Sequence, residues 1–245
     1  MNSKDIYNSV CQVLSQSEYD GGKGTGFFFK DNNTIYFVSN KHVICGDNNN
    51  RTRLTFYLNI KDKNNKQVNI NSGIVHVDFA NIIKSDIYDI AMYPVNNLFE
   101  HFNEKGYYID HYILNKEDIE TNYNKYDYIE NVITASYPSD MKDNYTYRPI
   151  ITGGITASPI SILLENQNTF LANITIYKGS SGSPIFIKKG GDYKLVGINY
   201  GSILREINIY NKTKNDNEQI KGETESYIAT CVKSNIFLQL LKVSS

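Results

Sequence analysis

Short runs of β-branched and aromatic residues, separated by clusters of Asn, Asp, Gly and Lys, recur along this 245-residue sequence. This pattern favours many short β-strands over amphipathic helices. It predicts two sets of six strands. The first set comprises Gln12–Leu14, Thr25–Phe29, Thr34–Ser39, Leu54–Ile60, Ile74–Phe79 and Asp89–Val95. The second set comprises Val132–Tyr137, Arg148–Ala157, Phe170–Tyr177, Ser183–Lys188, Tyr193–Asn199 and Ser226–Val232.

A polar connection at about residues 96–130 separates the two sets of strands. Because barrel closure removes exposed strand edges, we predict an all-β fold of two tandem six-stranded antiparallel β-barrels. The first domain covers residues 1–118 and the second covers residues 119–245. A C-terminal α-helix is expected after Ser234, which can cap it, because apolar residues recur there at helical spacing. They are Ile236, Phe237, Leu240 and Leu241.

Charge and cysteine content exclude several functions. The formal net charge is −1 without a long run of one sign, so neither nucleic acid nor an anionic membrane is an expected partner. Cys11, Cys45 and Cys231 are far apart, which argues against both a disulfide framework and a zinc site. The N-terminal residues do not resemble a signal peptide, and we expect neither a membrane span nor secretion. These features predict a cytoplasmic protein.

Two polar inserts interrupt the strand pattern, at Asp47–Arg51 and at Ser202–Glu225. The simpler interpretation is that both are solvated loops. Connections as long as the second are often either functional or mobile, so a functional loop is the alternative.

A hydroxyl lies within a Gly-rich turn in the segment Lys178–Pro184. Gly179 and Gly182 permit backbone conformations that most residues avoid, which would expose Ser181 Oγ. The same turn would direct the amide groups of Gly179 and Ser181 toward one point, as an oxyanion hole requires. The alternative is a structural hairpin turn.

A serine nucleophile needs a histidine as its base, and His42 is the best placed of the four histidines. It follows the predicted strand Thr34–Ser39, where a side chain can emerge from a barrel rim. His76, His101 and His111 are expected to be structural or surface residues. The base in turn needs a carboxylate partner, for which Asp89 is preferred because it directly precedes an apolar strand; Asp86 is the alternative.

These segments, with Thr25–Phe29 and Gly197–Gly201, resemble the landmark segments of trypsin-like serine peptidases, in the same order. The order His, Asp, Ser is that of the chymotrypsin class. The Asn-Lys-His and Ser-Gly-Ser-Pro forms are most similar to those of bacterial glutamyl endopeptidases. The resemblance implies a chymotrypsin-like fold and a serine endopeptidase that needs no cofactor, with protein or peptide substrates.

The resemblance also implies residues that bind substrate. The segment that matches Asn199, Tyr200 and Gly201 pairs with the substrate backbone in the family, and Thr175 lies near the pocket floor. The glutamyl-specific members carry histidine where this chain has Asn199, so an acidic preference does not transfer. Because Thr175 is uncharged, the expected preference is for a small or uncharged polar side chain.

The chain lacks the propeptide site of the secreted digestive relatives, so we expect another means of control. The candidates are gating by the segment 202–225 and an activating protein partner, with a narrow role in a bacterial stress or defence response. Two alternatives to an enzyme remain open. One is a catalytically silent trypsin-like scaffold that binds a protein partner, and the other is a purely structural barrel.

Overall fold

The computed structural model describes residues 1–46, 50–68, 72–138, 148–210 and 219–243, with the backbone alone for residues 204–210, 219–225 and 243. The described residues of the first half of the chain contain three α-helices, α1 (Ser3–Ser9), α2 (Lys41–Cys45) and α3 (Asn96–Glu104). Its strands are β1 (Val10–Gln16), β2 (Gly21–Asp31), β3 (Thr34–Ser39), β4 (Arg53–Tyr57), β5 (Ile60–Asp62), β6 (Ser72–His76), β7 (Ile83–Lys84), β8 (Ala91–Pro94) and β9 (Tyr107–Ile109). The second half contains β10 (Asn131–Ser136), β11 (Ile150–Thr156), β12 (Thr169–Asn173), β13 (Pro184–Lys189), β14 (Asp192–Tyr210), β15 (Gln219–Lys233) and α4 (Asn235–Val243).

The first half of the chain folds as an open sheet. Seven strands pair in the order β6-β4-β1-β2-β3-β8-β7, and within the described residues the two outermost strands do not pair with each other. The prediction of a closed six-stranded N-terminal barrel is therefore wrong. The predicted strand Leu54–Ile60 breaks after Tyr57, and its end, as β5, leaves the sheet to pair with β9. Strand β4 is therefore shorter than the predicted strand, and β5 does not contribute to closing the sheet into a barrel.

The second half forms the predicted closed barrel. Its six strands pair in the order β10-β11-β12-β15-β14-β13, and the ring closes between β10 and β13. Fully buried apolar side chains fill its interior, as is usual for a small closed barrel. They include Phe170, Ala172, Ile185, Ile187, Val196 and Cys231.

The segment 202–225 is not the loop that the simpler interpretation predicted. Strands β14 and β15 continue through it as a hairpin, with Leu204 opposite Glu225 and Tyr210 opposite Gln219. Residues 211–218, between the two strands, lie outside the described part of the chain. The other insert, Asp47–Arg51, also lies partly outside, at residues 47–49.

The predicted C-terminal helix is present as α4, directly after Ser234. The Ser234 hydroxyl, however, lies 2.9 Å from the Glu120 carbonyl oxygen and 3.0 Å from that of Leu195. The backbone N–H of Asn235 instead donates to the Tyr123 hydroxyl at 3.0 Å. Phe237 of α4 packs edge-on against Phe27 of β2, so the helix ties the second half of the chain to the first.

Helices α1, α2 and α3 were not predicted. Helix α3 and strand β9 lie in the stretch predicted to be a polar connection. Apolar residues of both halves share one core cluster, including Phe27, Phe29, Ala135, Phe186 and Phe237. The halves therefore pack as a single unit, and the division into residues 1–118 and 119–245 stays a prediction. Within the described residues no helix has the length and apolar character that a bilayer span requires.

Candidate active site

His42 lies in the first turn of α2, the short helix that follows β3. Asn40 precedes the helix in an extended conformation, which turns the chain out of the sheet. The His42 side chain is 40% exposed. The sequence predicted a strand end at this place, and the structure adds the helical turn that orients the ring.

The Asp89 carboxylate binds His42 at two points. Its Oδ2 lies 2.5 Å from the ring Nδ1, and its Oδ1 accepts from the His42 backbone N–H at 3.0 Å. The Asn40 side-chain amide donates to the Asp89 carbonyl oxygen at 2.7 Å. These three bonds fix both the ring and the residue that holds it. Asp86, the alternative partner, is exposed.

The turn that carries Asp89 is closed by Ser85. The Ser85 hydroxyl accepts from the backbone N–H groups of Ile87 and Tyr88, at 3.2 and 3.0 Å. The Lys41 ammonium, next to His42 in sequence, donates to the Ser85 carbonyl oxygen at 3.0 Å. The Tyr88 hydroxyl accepts from the Asn168 backbone N–H, also at 3.0 Å, which joins this turn to the second half of the chain.

Ser181 lies in a loop between β12 and β13, where both flanking glycines have positive φ. The angle is +96° at Gly179 and +84° at Gly182, in the region that favours glycine. A Cβ atom on Gly182 would lie 2.1 Å from Ser39 Oγ and 2.2 Å from the Thr25 carbonyl oxygen. The loop is therefore packed against the end of β3, only a few residues before His42.

Within the described residues the backbone amides of Gly179 and Ser181 make no hydrogen bond, and neither do those of Thr175, Ile176 and Lys178 in the same loop. Three other amides close to them are used. The N–H of Ser180 donates to Tyr177, that of Gly182 to Asn199 and that of Ser183 to Ser180, at 2.9 to 3.0 Å. The two amides predicted to form an oxyanion hole are thus both available as donors.

Thr25 of β2 holds the Ser181 loop from the first half of the chain. Its backbone N–H donates to the Ser181 carbonyl oxygen at 2.9 Å, and its hydroxyl donates to the Gly179 carbonyl oxygen at 2.8 Å. The same hydroxyl accepts from the Tyr137 backbone N–H at 2.9 Å. The sequence analysis included Thr25 in a landmark segment but gave it no role, because nothing in the sequence shows which loop it meets.

The four residues expected to bind substrate differ in their surroundings. Asn199 is fully buried, and its side-chain amide donates to the Ser180 carbonyl oxygen at 3.0 Å. Its side chain therefore contacts the Ser181 loop directly. Tyr200 is 42% exposed, and an added Cβ on Gly201 would have open space around it. Thr175 is partly buried, and its carbonyl oxygen accepts from the Thr152 hydroxyl.

His111 has structural contacts. Its Nδ1 lies 3.2 Å from the Asn8 carbonyl oxygen, and its Nε2 accepts from the Asn59 backbone N–H at 3.2 Å. Burial lowers the pKa of His111 to about 4, so the ring is neutral at pH 7. His76 lies on β6 and His101 on α3, and both are exposed. Within the described residues, no group of three metal-ligating side chains is placed to hold a metal ion.

Comparison with known proteins identifies the family of this chain. The sequence profile of the trypsin-like peptidase domain matches residues 24–198, and the chain belongs to that family. No curated protein sequence matches the chain.

Solved proteases share the fold at low sequence identity. A serine endoprotease from Yersinia pestis is 17% identical with a TM-score of 0.56, over 98% of this chain and 63% of that one. The HtrA-type protease AlgW, solved with a tripeptide, is 13% identical with a TM-score of 0.57, over 98% of this chain and 60% of that one. A protease from M. tuberculosis, solved in its active form, is 14% identical with a TM-score of 0.54, over 98% and 82%. The chain thus spans less than two thirds of the first two proteins, and the likeness shows a chymotrypsin-like fold.

Proposed function

We propose that this chain is a serine endopeptidase that hydrolyses peptide bonds through an acyl-enzyme, with His42, Asp89 and Ser181 as its catalytic residues. The observation that carries the proposal is the double contact of Asp89 with His42, at 2.5 and 3.0 Å. Membership of the trypsin-like peptidase domain family supports it. The position of Ser181, in a loop packed against the chain just before His42, supports it further.

The Asp89 contact determines which ring nitrogen acts as the base. Because the carboxylate accepts from Nδ1–H, the other nitrogen, Nε2, carries the lone pair that can take a proton. In the proposed reaction Ser181 Oγ attacks the substrate carbonyl carbon as its proton passes to His42 Nε2. Asp89 then stabilises the imidazolium without itself becoming protonated.

The tetrahedral intermediate needs donors for its oxyanion, and the Gly179 and Ser181 amides supply them in this proposal. Collapse of the intermediate breaks the C–N bond, and the leaving amine takes the proton from His42. Water then attacks the acyl-enzyme, with His42 again as base, and restores Ser181. Removing one such donor costs about a hundredfold or more in turnover in enzymes of this kind.

A fluorophosphonate probe followed by mass spectrometry tests the proposal. We expect labelling at Ser181 and its loss in Ser181→Ala. Ser183→Ala is the matched control, because Ser183 Oγ is buried without a hydrogen-bond partner among the described residues. No labelling of the wild type would leave two alternatives, a latent enzyme that awaits its activating partner and a silent scaffold that binds a partner.

The same proposal extends to the cleavage site. Thr175, Asn199, Tyr200 and Gly201 are proposed to line the site for the residue before the scissile bond. The uncharged Thr175 favours a small or uncharged polar side chain there. A peptide library checks this preference, and a clear selection for Arg, Lys or Glu would contradict it. Selection for Glu would instead indicate the cleavage specificity of glutamyl endopeptidases.

A regulated role completes the proposal. We infer a narrow cytoplasmic activity in a bacterial stress or defence response, controlled by an activating protein partner and independent of a cofactor. The support is the resemblance in sequence and the likeness of the fold to HtrA-type proteases. Fractionation of the source cells tests the location, and recovery of the protein outside the cytoplasm would contradict it.

A further inference from the structure

One edge of strand β14 is open beyond the barrel. β13 pairs with β14 as far as Pro184 opposite Ile198. β15, on the other side, pairs with β14 through to Tyr210 opposite Gln219. From Tyr200 onward, the edge of β14 that faces away from β15 has no strand partner within the described residues. Such an edge carries unused N–H and C=O groups that can pair with another extended chain.

This open edge begins at the Ser181 loop. The Asn199 backbone N–H donates to the Ser183 carbonyl oxygen at 2.9 Å, and the Asn199 carbonyl oxygen accepts from the Gly182 N–H at 3.0 Å. Gly201, two residues further, would have no atom within 4 Å of an added Cβ, so the face of the sheet beside this edge is open as well. A polypeptide cleaved at Ser181 would therefore meet this edge directly.

We propose that the edge of β14 from Ser202 to Tyr210 binds the part of the substrate that precedes the scissile bond, as an added antiparallel strand. The inference rests on the proposed peptidase function. It extends substrate binding well beyond Asn199–Gly201, the segment that the family resemblance predicts. Leu204–Tyr210, paired with β15 on their other side, span about 23 Å at the usual rise of a strand.

The substrate class follows from this mode of binding. A strand can add to β14 only if its own backbone groups are unpaired, so the substrate is an unfolded or extended segment. It needs about ten residues before the scissile bond to fill the edge. Folded proteins, whose strands are already paired, are poor substrates.

Apolar side chains at the start of the edge indicate which substrate residues are favoured. Tyr200 is 42% exposed and Ile203 is 41% exposed on β14, and Tyr227 of β15 is 72% exposed. The Tyr227 carbonyl oxygen accepts from the Ile174 N–H at 3.0 Å, which fixes this corner next to Thr175. Apolar side chains near the scissile bond would cover these three residues.

The opposite edge of the hairpin is the less suitable one. The outer edge of β15 is occupied by β12 from Ile228 onward. A chain added to the outer edge of β15 would run into Ile174 and not into the Ser181 loop. Only the edge of β14 is continuous with the candidate active site.

Hydrogen exchange on the full-length Ser181→Ala variant tests the inference. The probe is reduced, carboxymethylated casein in excess, which is unfolded, and native ubiquitin is the folded control. We expect alternate backbone amides between Ser202 and Tyr210 to exchange at least about tenfold more slowly with casein, and no change with ubiquitin. The test needs no turnover. Binding of casein to the edge of β14 is therefore measured separately from the proposed peptidase function, which is tested by labelling of Ser181 in the wild type.

Three outcomes would overturn the inference. The first is unchanged exchange along β14 at saturating casein. The second is protection of amides 219–226 on β15 in place of those on β14. The third is protection that grows with protein concentration in the absence of casein, since that would show a second copy of the chain on the edge.

Discussion

Thr25 is the residue on which the geometry of the Ser181 loop most depends. It donates from both its backbone N–H and its hydroxyl to carbonyl oxygens of the loop, those of Ser181 and Gly179. Its own carbonyl oxygen accepts from the Ser39 hydroxyl at 2.6 Å, at the end of the strand that leads to His42. One threonine thereby sets the nucleophile loop relative to the strand that carries the base.

Gly182→Ala is predicted to unfold or strongly destabilise the protein. Its φ of +84° disfavours any side chain, and an added Cβ would overlap Ser39 Oγ and the Thr25 carbonyl oxygen at 2.1 and 2.2 Å. The expected loss is at least about 3 kcal/mol of unfolding free energy, measured by urea denaturation.

Gly191→Ala is the matched control for that substitution. Its φ of +97° is similarly unfavourable, but an added Cβ would have nothing within 4 Å. A loss of about 1 kcal/mol is expected from the backbone alone. Equal losses in the two variants would show that the contact of the loop with Thr25 and Ser39 is unimportant.

At the residue scale the sequence predicts the members of the site better than their contacts. Strand ends, chain order and a Gly-rich turn led to the prediction of His42, Asp89 and Ser181, and the structure adds the contact of the Asp89 carboxylate with the His42 ring. Their catalytic roles stay a prediction. The family resemblance implied that Asn199 binds substrate, which stays a prediction, and it gave no hint that the Asn199 side-chain amide donates to the Ser180 carbonyl oxygen. Which atoms are in contact depends on how distant segments of the chain pack together. These contacts cannot be predicted from the pattern of a single sequence.

At the scale of elements, the stretch after α3 packs on α1 and the open sheet through His111. The ring contacts the Asn8 carbonyl oxygen and the Asn59 N–H and lies edge-on to Phe28, with ring centroids 5.7 Å apart. It thereby joins the end of α1, the β4–β5 connection and β2. Burial keeps this histidine neutral.

The stability of the protein is predicted to depend on pH through His111. Burial lowers its pKa from 6.5 to about 4 in the folded state, so between these values the unfolded chain binds more protons. The contribution of His111 to the free energy of unfolding therefore falls as pH is lowered from 6.5 and levels off below about 4. The difference in pKa corresponds to about 3 kcal/mol.

Urea denaturation between pH 7 and pH 4 measures this dependence. His111→Gln should be less stable at pH 7 but should lose much of the slope. His101→Gln, which changes an exposed histidine, is the control and should retain the slope. An unchanged slope in His111→Gln would contradict the assignment.

Elements with a clear period were predicted well, and elements with a mixed composition were not. Strand β3 has the predicted bounds, Thr34–Ser39, because its apolar run ends at turn residues on both sides. Helix α3 was missed because Asn and Glu obscure the helical spacing of its buried residues, Leu98 and Phe102. The β14–β15 hairpin was missed because its length and polar composition resemble a loop, although Ile207 and Ile209 alternate with polar residues.

At the scale of the whole molecule, the candidate site lies where an open sheet meets a closed barrel. His42 and Asp89 come from the sheet side, and Ser181 comes from the barrel side. Helix α4 crosses from the barrel to β2, so the shared core holds the two sides together. The sequence predicted two halves and their order. It did not predict that the first half stays open, since this depends on β5 leaving the sheet to pair with β9.

The central claim is that His42, held by Asp89, activates Ser181. The rate of fluorophosphonate labelling of Ser181 in His42→Ala, compared with the wild type, tests it most directly. If His42 is the base, the labelling rate should fall by at least about a hundredfold while the urea denaturation midpoint changes little. Equal labelling rates in the two proteins would show that Ser181 reacts without His42, and would contradict the assignment of these residues as a catalytic unit.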